Sequence, residues 1–272
     1  MLLRRSFLMN AAAIAAVGLT LAGCSRGGGE VDTSGPLRVG ATAVPHAEIL
    51  EQVRPLLAAE GVTLEIKVFN DYVQPNVQLA EKRLDANYFQ TEPYLNEFNT
   101  ARGTDLKTMA GIHIEPLGLY SKKHTKLDEL PQGAEIVLPN DASNTGRSLL
   151  LLQSAGLITL KKGENPLQTV ADIKDNRKGL VFREVEAATI PRILPQVDAA
   201  VINTNYALDA GFKPRTDSLA LEGSDSPYVN YLVIRPESAQ DPRLIALVNA
   251  LRGEAARAYI AQRYEGAVVP AQ

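Results

Sequence analysis

Cysteine is almost absent from this chain: Cys24 is the only one among 272 residues, and tryptophan is missing altogether. One thiol excludes an internal disulfide framework and a cysteine-built metal site. Histidine is nearly as scarce, at His46, His113 and His124, without the H-E-x-x-H spacing of a zinc protease. There is also no G-x-S-x-G elbow and no phosphate-binding P-loop. The templates for hydrolytic, metal-dependent and nucleotide-dependent catalysis therefore all fail, and the chain is expected to be no enzyme and to require no cofactor or metal. An excess of positive charge is missing too, because 28 Lys and Arg face 31 Asp and Glu for a formal charge of −3. That balance disfavours a nucleic-acid partner. The one long apolar run, residues 7–21, is too short and alanine-rich to favour a permanent membrane span.

That run is instead placed as a targeting signal. Arg4 and Arg5 supply a positive start, and Leu21-Ala22-Gly23-Cys24 closes the run with small residues. L-A-G-C matches the lipobox of bacterial lipoproteins. Residues 1–24 are thus read as a signal peptide and Cys24 as the acceptor of palmitate or related acyl chains, with a plain secretory signal and an incidental cysteine as the alternative. Arg4-Arg5-Ser6-Phe7-Leu8 also fits a twin-arginine motif, so two export routes stay open. Each buried methylene contributes roughly 0.8 kcal/mol, so several acyl chains are needed for durable anchoring. The expected location is the extracytoplasmic face of the cell membrane. Residues 25–36, with three successive glycines, read as a flexible tether.

With 45% apolar and 22% charged residues, the remainder is long enough for two modest globular lobes. Residues 37–41 and 64–69 alternate as half-buried strands, and Ile49, Leu50, Val53, Leu56 and Leu57 between them have helical spacing, with Pro55 expected to kink the helix. A strand-helix-strand unit favours a parallel sheet, so the first lobe is α/β. Residues 112–120 read as an extended crossing. A second set then begins: a strand at 136–138, a turn at Pro139-Asn140-Asp141, a helix at 147–155 ended by Gly156, short strands at 181–182 and 199–202, and a helix at 204–210 stopped by Gly211. Residues 228–234 read as the return crossing, and Leu244, Val248, Leu251, Ala255 and Tyr259 as one long closing helix packed on the first lobe. The expected lobes are 37–119 with 231–272, and 120–230.

Functional side chains gather in residues 69–98, where two turns, each after a strand signal and before a helix, present Tyr72 and then Phe89, Gln90 and Thr91. Tyr72 and Phe89 offer flat apolar walls suited to a thioether or another linear side chain. Asn144, Thr145 and Gly146 precede Arg147 in what reads as a first helical turn, so backbone N–H groups and a guanidinium can meet a carboxylate there. Asn203, Asn205 and Asn230 add amides that both donate and accept, as a zwitterion requires, although one of the first two can serve as a helix cap.

The motifs N-D-Y-V-Q-P-N, D-A-N-Y-F-Q-T-E-P-Y-L, P-N-D-A-S-N-T-G-R-S-L-L-L-L, A-V-I-N and S-P-Y-V-N follow one another from Asn70 to Asn230. In order and spacing they resemble the methionine-binding lipoproteins of bacterial ABC importers, the MetQ/NlpA type. The resemblance implies a two-lobe fold like that of periplasmic binding proteins, with a ligand cleft between the lobes. It also implies that Arg147 holds the ligand α-carboxylate, that Asn230 is a ligand contact, and that the partners are a membrane permease and its ATPase. The binding protein itself is expected to be monomeric. One position departs: Thr91 stands where the family carries histidine. L-methionine is therefore the first expectation. D-methionine, a methionine-containing dipeptide or a derivative comes next, and a structural or adhesive lipoprotein that binds no small molecule is the reading from another class.

Overall fold

The computed structural model describes residues 33–161, 166–223 and 225–271. The expected signal peptide, the lipid acceptor Cys24 and most of the tether lie outside them. Strand β1 (Leu37–Thr42) leads through a short helical stretch, Ala43–Ala47, into α1 (Glu48–Ala59) and β2 (Leu64–Phe69). Then come α2 (Gln74–Ala80), β3 (Ala86–Thr91), α3 (Glu92–Arg102) and β4 (Lys107–Ile114). A second series holds β5 (Gly118–Tyr120), β6 (Glu135–Pro139), α4 (Ala142–Ser154), a small ribbon of β7 (Thr159–Leu160) and β8 (Ile173–Asp175), and β9 (Val181–Val185). It continues with α5 (Ile190–Ile193), β10 (Ala199–Ile202), α6 (Thr204–Asp209), α7 (Pro214–Asp217) and β11 (Ser218–Leu221). The chain closes with β12 (Val229–Ile234), α8 (Pro242–Arg252), α9 (Glu254–Tyr264) and β13 (Val269–Pro270).

Two main sheets result, one per lobe. The first has the order β13-β4-β12-β3-β1-β2, and the second β11-β5-β10-β6-β9. β1 runs parallel to β2 and β3, as a strand-helix-strand crossover demands, while β12 inserts antiparallel between β3 and β4. In the second sheet β10, β6 and β9 are parallel and β5 is antiparallel to both its neighbours. Each sheet has its own core. Leu37, Val39, Ile49, Leu57, Leu232 and Leu247 fill one, and Leu119, Ile136, Leu138, Leu149, Leu152 and Val201 another. The closing helices α8 and α9 pack on α1 and supply Leu244, Leu251 and Ile260 to the first core.

Several local expectations change. α1 continues through Pro55, which lies exposed in the helix, so no break appears there. The second expected turn is the strand β3, buried from Ala86 to Gln90. A central strand buried on both faces loses its alternation and does not announce itself as a strand. The single closing helix is two, because Gly253 adopts an extended backbone (φ −69°, ψ 166°) between α8 and α9. Sheet membership changes between Ile114 and Gly118 and again between Leu221 and Val229. The boundaries expected at 119/120 and 230/231 thus fall inside β5 and β12, and the crossings are the short segments before those strands. Pro116 in the first crossing has no N–H to give to either ladder.

Gly146 shows how tightly α4 is seated. A Cβ added there would lie 1.9 Å from the carbonyl oxygen of Pro166, a backbone atom that cannot swing aside. Gly146→Ala is expected to destabilise the protein by about 1–3 kcal/mol, as overpacking does. At this size each kcal/mol lowers the melting temperature by about 2–4 °C, which calorimetry will register.

Candidate functional site

The cleft is lined by Tyr72, Phe89, Thr91, Arg147, Asn203, Asn205 and Asn230, the seven side chains singled out from the sequence. Gln90, Tyr94, Glu115, Asn144 and Thr204 complete the lining. Tyr72, Phe89 and Tyr94 form a three-sided aromatic wall, with ring centroids 5.7–5.9 Å apart. Such spacing is that of packed edge-to-face and offset rings. Tyr72 follows β2 in a turn that the Asp71 carboxylate closes, accepting the N–H groups of Val73 and Gln74 at 2.8 Å each. The Tyr94 hydroxyl donates to the Tyr72 carbonyl at 3.0 Å, and the Tyr72 hydroxyl donates to Asn205 Oδ1 at 2.6 Å. Burial pushes the Tyr72 hydroxyl well above its ordinary value, so it remains a neutral donor. Tyr206, centred 5.0 Å from Tyr72, extends the wall from α6.

An amide cluster underneath holds the two aromatic segments together. Asn76 Nδ2 donates to Gln90 Oε1 at 2.8 Å, Gln90 Nε2 donates to Asn76 Oδ1 at 2.6 Å and to Asn87 Oδ1 at 2.9 Å, and Asn87 Nδ2 donates to Asn76 Oδ1 at 2.8 Å. All three residues are buried, so each polar atom needs such a partner. The last asparagine of N-D-Y-V-Q-P-N and the Asn and Gln of D-A-N-Y-F-Q are accordingly the locks that bring Tyr72 beside Phe89. Their side chains serve the wall first, with Gln90 alone also reaching the cleft lining.

Arg147 lies where the two crossings meet. Its Nη2 donates to the Glu115 carbonyl at 2.7 Å, its Nε donates to Glu222 Oε1 at 3.1 Å, and Nη2 also pairs with Glu222 Oε2. The guanidinium lies 4.3 Å from the centre of the Tyr228 ring, a cation–π contact. Arg147 is thus already paired with an acid inside the protein, and it still lines the cleft. The start of its helix differs from expectation. α4 begins at Ala142, and Asp141 caps it by accepting Asn144 N–H at 2.9 Å. Glu97 of α3 accepts Ala142 N–H and Ser143 N–H at 3.2 and 3.0 Å, and Thr145 N–H donates to the Asp141 carbonyl. These N–H groups are spent inside the protein, so it is the Arg147 guanidinium that lines the cleft from this turn. Asn144 contributes through its side chain instead.

Asn203 occupies the position just before α6 but caps nothing: its Nδ2 donates to Asn144 Oδ1 at 2.9 Å, and its Oδ1 is buried without a partner. An acceptor in that condition at a cleft wall suits a ligand N–H donor. Thr91 ends β3, directly opposite Asn230 in the register, and its hydroxyl makes no helix-capping bond. Asn230 Oδ1 lies 3.1 Å from His46 Nε2.

Glu115 is the residue that sequence reasoning missed. A lone acid between a strand and Pro116 carries no periodic or motif signal, yet it is 5% exposed and faces the cleft. Its Oε1 lies 2.7 Å from His113 Nε2 and 3.2 Å from His46 Nε2. Burial raises its carboxyl above the usual range, while the neighbouring His46 ring, the Arg147 guanidinium and the Asn205 backbone N–H pull it back. Tyr94, part of the motif E-P-Y-L, was likewise not among the expected residues. Among the described residues His46, His113 and Glu115 bring three possible metal-ligating atoms within 4.8 Å of one another. Hydrogen bonds already engage every ring nitrogen, His46 Nδ1 with Thr42 Oγ1 at 2.7 Å and His113 Nδ1 with the Tyr88 hydroxyl. The cluster is satisfied as a hydrogen-bonded one.

The arrangement can receive a small zwitterion: one cation, one buried acid, several amides and an aromatic wall. Comparison with known proteins agrees in kind. The methionine-binding lipoprotein MetQ of Bacillus subtilis is 38% identical over 92% of this chain and 93% of its own length, and the D-methionine-binding lipoprotein MetQ of Yersinia pestis is 39% identical over 87% of each. The solved structure of a nutrient binding protein from Burkholderia cenocepacia bound to methionine superposes with a TM-score of 0.84 at 42% identity, covering 87% of this chain and all of that one. The profile of the NlpA lipoproteins matches residues 37–272. A chain with this fold, this cleft and this extent of similarity belongs to the NlpA lipoprotein family.

Proposed function

We propose that the protein is a lipid-anchored, monomeric substrate-binding component of an ABC importer, and that its cleft captures free methionine, L-methionine first. The observation that carries the reading is the placement of Arg147 and Glu115 on one small cleft with Tyr72, Phe89 and Tyr94. Arg147 binds the α-carboxylate, Glu115 and the unpartnered Asn203 Oδ1 accept from the α-ammonium, and the rings pack on the thioether. Asn230 and Asn205 complete the polar end. The two lobes close over the ligand by bending at the crossings, at residues 115–117 and at 222–223 and 225–228, and the closed form presents the ligand to a permease driven by its ATPase. The names of the relatives, given for methionine and for D-methionine, support the same chemistry. Cys24 is the proposed lipid acceptor, holding the protein at the extracytoplasmic face of the membrane.

Thr91 favours a second reading with the same role. A threonine where the resembling family has histidine vacates space at the cleft wall, and its hydroxyl makes no capping bond. D-methionine, a methionyl dipeptide or a derivative would occupy that space.

Calorimetric titration of the purified protein, unfolded and refolded to strip carried-over ligand, tests both readings. Saturable binding of L-methionine is expected. Arg147→Ala is expected to weaken it by about 1.5–3 kcal/mol, roughly 10- to 150-fold in Kd, and Asn230→Ala by a smaller factor. Binding of a dipeptide alone would select the second reading, and silence toward every amino acid and dipeptide, from folded protein, would reject both.

The affinity also carries a pH signature. Glu115 starts above its ordinary 4.5 in the empty cleft, and an ammonium beside it favours the ionised form. Binding then releases a proton wherever the pH lies below the empty-state value. Affinity is expected to fall with acidification, approaching tenfold per pH unit, and to level off above the Glu115 titration. His46 and His113 are lowered by burial to about 4 and about 3 and do not titrate near neutrality. An affinity for L-methionine that is flat from pH 4.5 to 8 would remove Glu115 from the ammonium site.

A further inference from the structure

The ammonium-binding role of Glu115 raises a physical problem, because a carboxylate with so little water around it is costly to keep charged. The fold answers it with two histidines from separate elements. His46 comes from the stretch after β1 and His113 from β4, they are 1% and 0% exposed, and both direct Nε2 at the same Glu115 oxygen, at 3.2 and 2.7 Å. Their other nitrogens lie against hydroxyls, His46 Nδ1 2.7 Å from Thr42 Oγ1 and His113 Nδ1 beside the Tyr88 hydroxyl. The Glu115 carboxylate and Asn230 Oδ1, which face the Nε2 atoms, can only accept, so the ring proton belongs on Nε2 and each hydroxyl can donate to the Nδ1 lone pair. The Tyr88 ring also stands edge-on to both imidazoles, at 4.7 and 5.3 Å between centroids, and restrains their planes.

We propose that His113 and His46 are positioning residues for the ligand site, neutral imidazoles of which His113 donates to Glu115 and His46, 3.2 Å from the same oxygen, donates to Asn230, and that together they hold Glu115 in place as an anion without neutralising its charge. The inference rests on the reading that Glu115 receives the ligand ammonium. Its logic is one of charge. A buried lysine or arginine here would also stabilise Glu115, but as an internal ion pair that leaves nothing for an ammonium to complete. A neutral imidazole donates a hydrogen bond and leaves the full negative charge facing the cleft. Burial supports this state by depressing both histidines far below neutrality. The hydrogen bond of His46 itself goes from Nε2 to Asn230 Oδ1 at 3.1 Å. That contact turns the oxygen of Asn230 inward and leaves its NH2 as the end available to a ligand. The same two rings thereby orient an acceptor and a donor at the polar end of the cleft.

The experiment compares L-methionine with its des-amino analogue, 4-(methylthio)butanoate, in the wild-type protein and in His113→Leu, His113→Gln and His46→Gln, with calorimetry of ligand binding and of thermal unfolding. The expected result is a loss of tenfold or more in L-methionine affinity for His113→Leu, with no loss for the analogue, and partial recovery in His113→Gln, whose amide can still donate. Equal weakening of both ligands would mean that the histidine acts only through general packing, and would overturn the inference. A readout free of ligand separates this from the reading beneath it: in the empty protein, the Glu115 carboxyl followed by carbon-13 NMR should titrate at higher pH in His113→Leu and in His46→Gln than in the wild type. An unchanged Glu115 titration in these folded variants overturns the positioning role. Wild-type silence toward L-methionine alongside shifted Glu115 titrations overturns the ligand reading instead, and leaves the two histidines as keepers of a buried anion.

Discussion

The guanidinium of Arg147 is the contact through which the lobes, the crossings and the cleft meet. It projects from α4 in the second lobe to the Glu115 carbonyl on the first crossing and to the Glu222 carboxylate on the second. Glu222 in turn accepts Leu117 N–H at 3.1 Å through its side chain, and its own N–H donates to the Leu117 carbonyl at 2.9 Å. The crossings are thus stapled side by side, and the staple is charged. A planar fork with five donors can satisfy a carbonyl and a carboxylate together and still line a cleft, which lysine, with a single ammonium, cannot do. The chain passes between the two sheets at these crossings, and the one guanidinium that lines the cleft bonds to both.

A cation at that point calls for an anion nearby, and Glu115 supplies it two residues before Leu117. The two charges share one cleft but have different supports. Arg147 is held by a carboxylate and a carbonyl, whereas Glu115 is held by neutral groups, the His46 and His113 imidazoles and the Asn205 backbone N–H. The aromatic wall adds a flat apolar face to these two charges. Tyr72, Phe89 and Tyr94 are fixed by the Asn76–Asn87–Gln90 cluster and by the bond from Tyr72 to Asn205 across the cleft, so the wall spans both lobes.

Much of the fold was legible because its strands alternate or are bounded by turns. β1, β2, β6 and β10 lie where hydrophobic patterning puts them, and Gly156 and Gly211, with φ of +73° and +82°, lie just past the ends of α4 and α6 as expected. The errors share a cause. β3 is buried on both faces, so it has no alternation to read. α8 and α9 keep a common helical period across Gly253, so the extended backbone between them is invisible in the pattern. α4 begins at Ala142, five residues before the expected start at Arg147, behind an Asp141 cap that resembled a turn. Within the site, the seven expected residues came from side-chain type at motif positions, and they line one cleft. Glu115 was missed because its meaning lies wholly in His46, His113 and Arg147, which are distant in sequence or on other elements.

By itself the sequence determined the chemical class of the protein: no catalytic template, an acidic balance, two α/β lobes, and aromatic and amide motifs beside a lone arginine. These follow from residue identity and from periods of two and 3.6, which are local properties. Only the tertiary structure decided what each polar group does. It spent the N-terminal amides of α4 on Asp141 and Glu97, turned Asn76 and Asn87 into locks, left Asn203 Oδ1 unpartnered, and set a buried glutamate opposite Arg147. A buried polar atom must be satisfied by whatever the fold brings within about 3 Å, and the partner that arrives is chosen by the packing of distant segments.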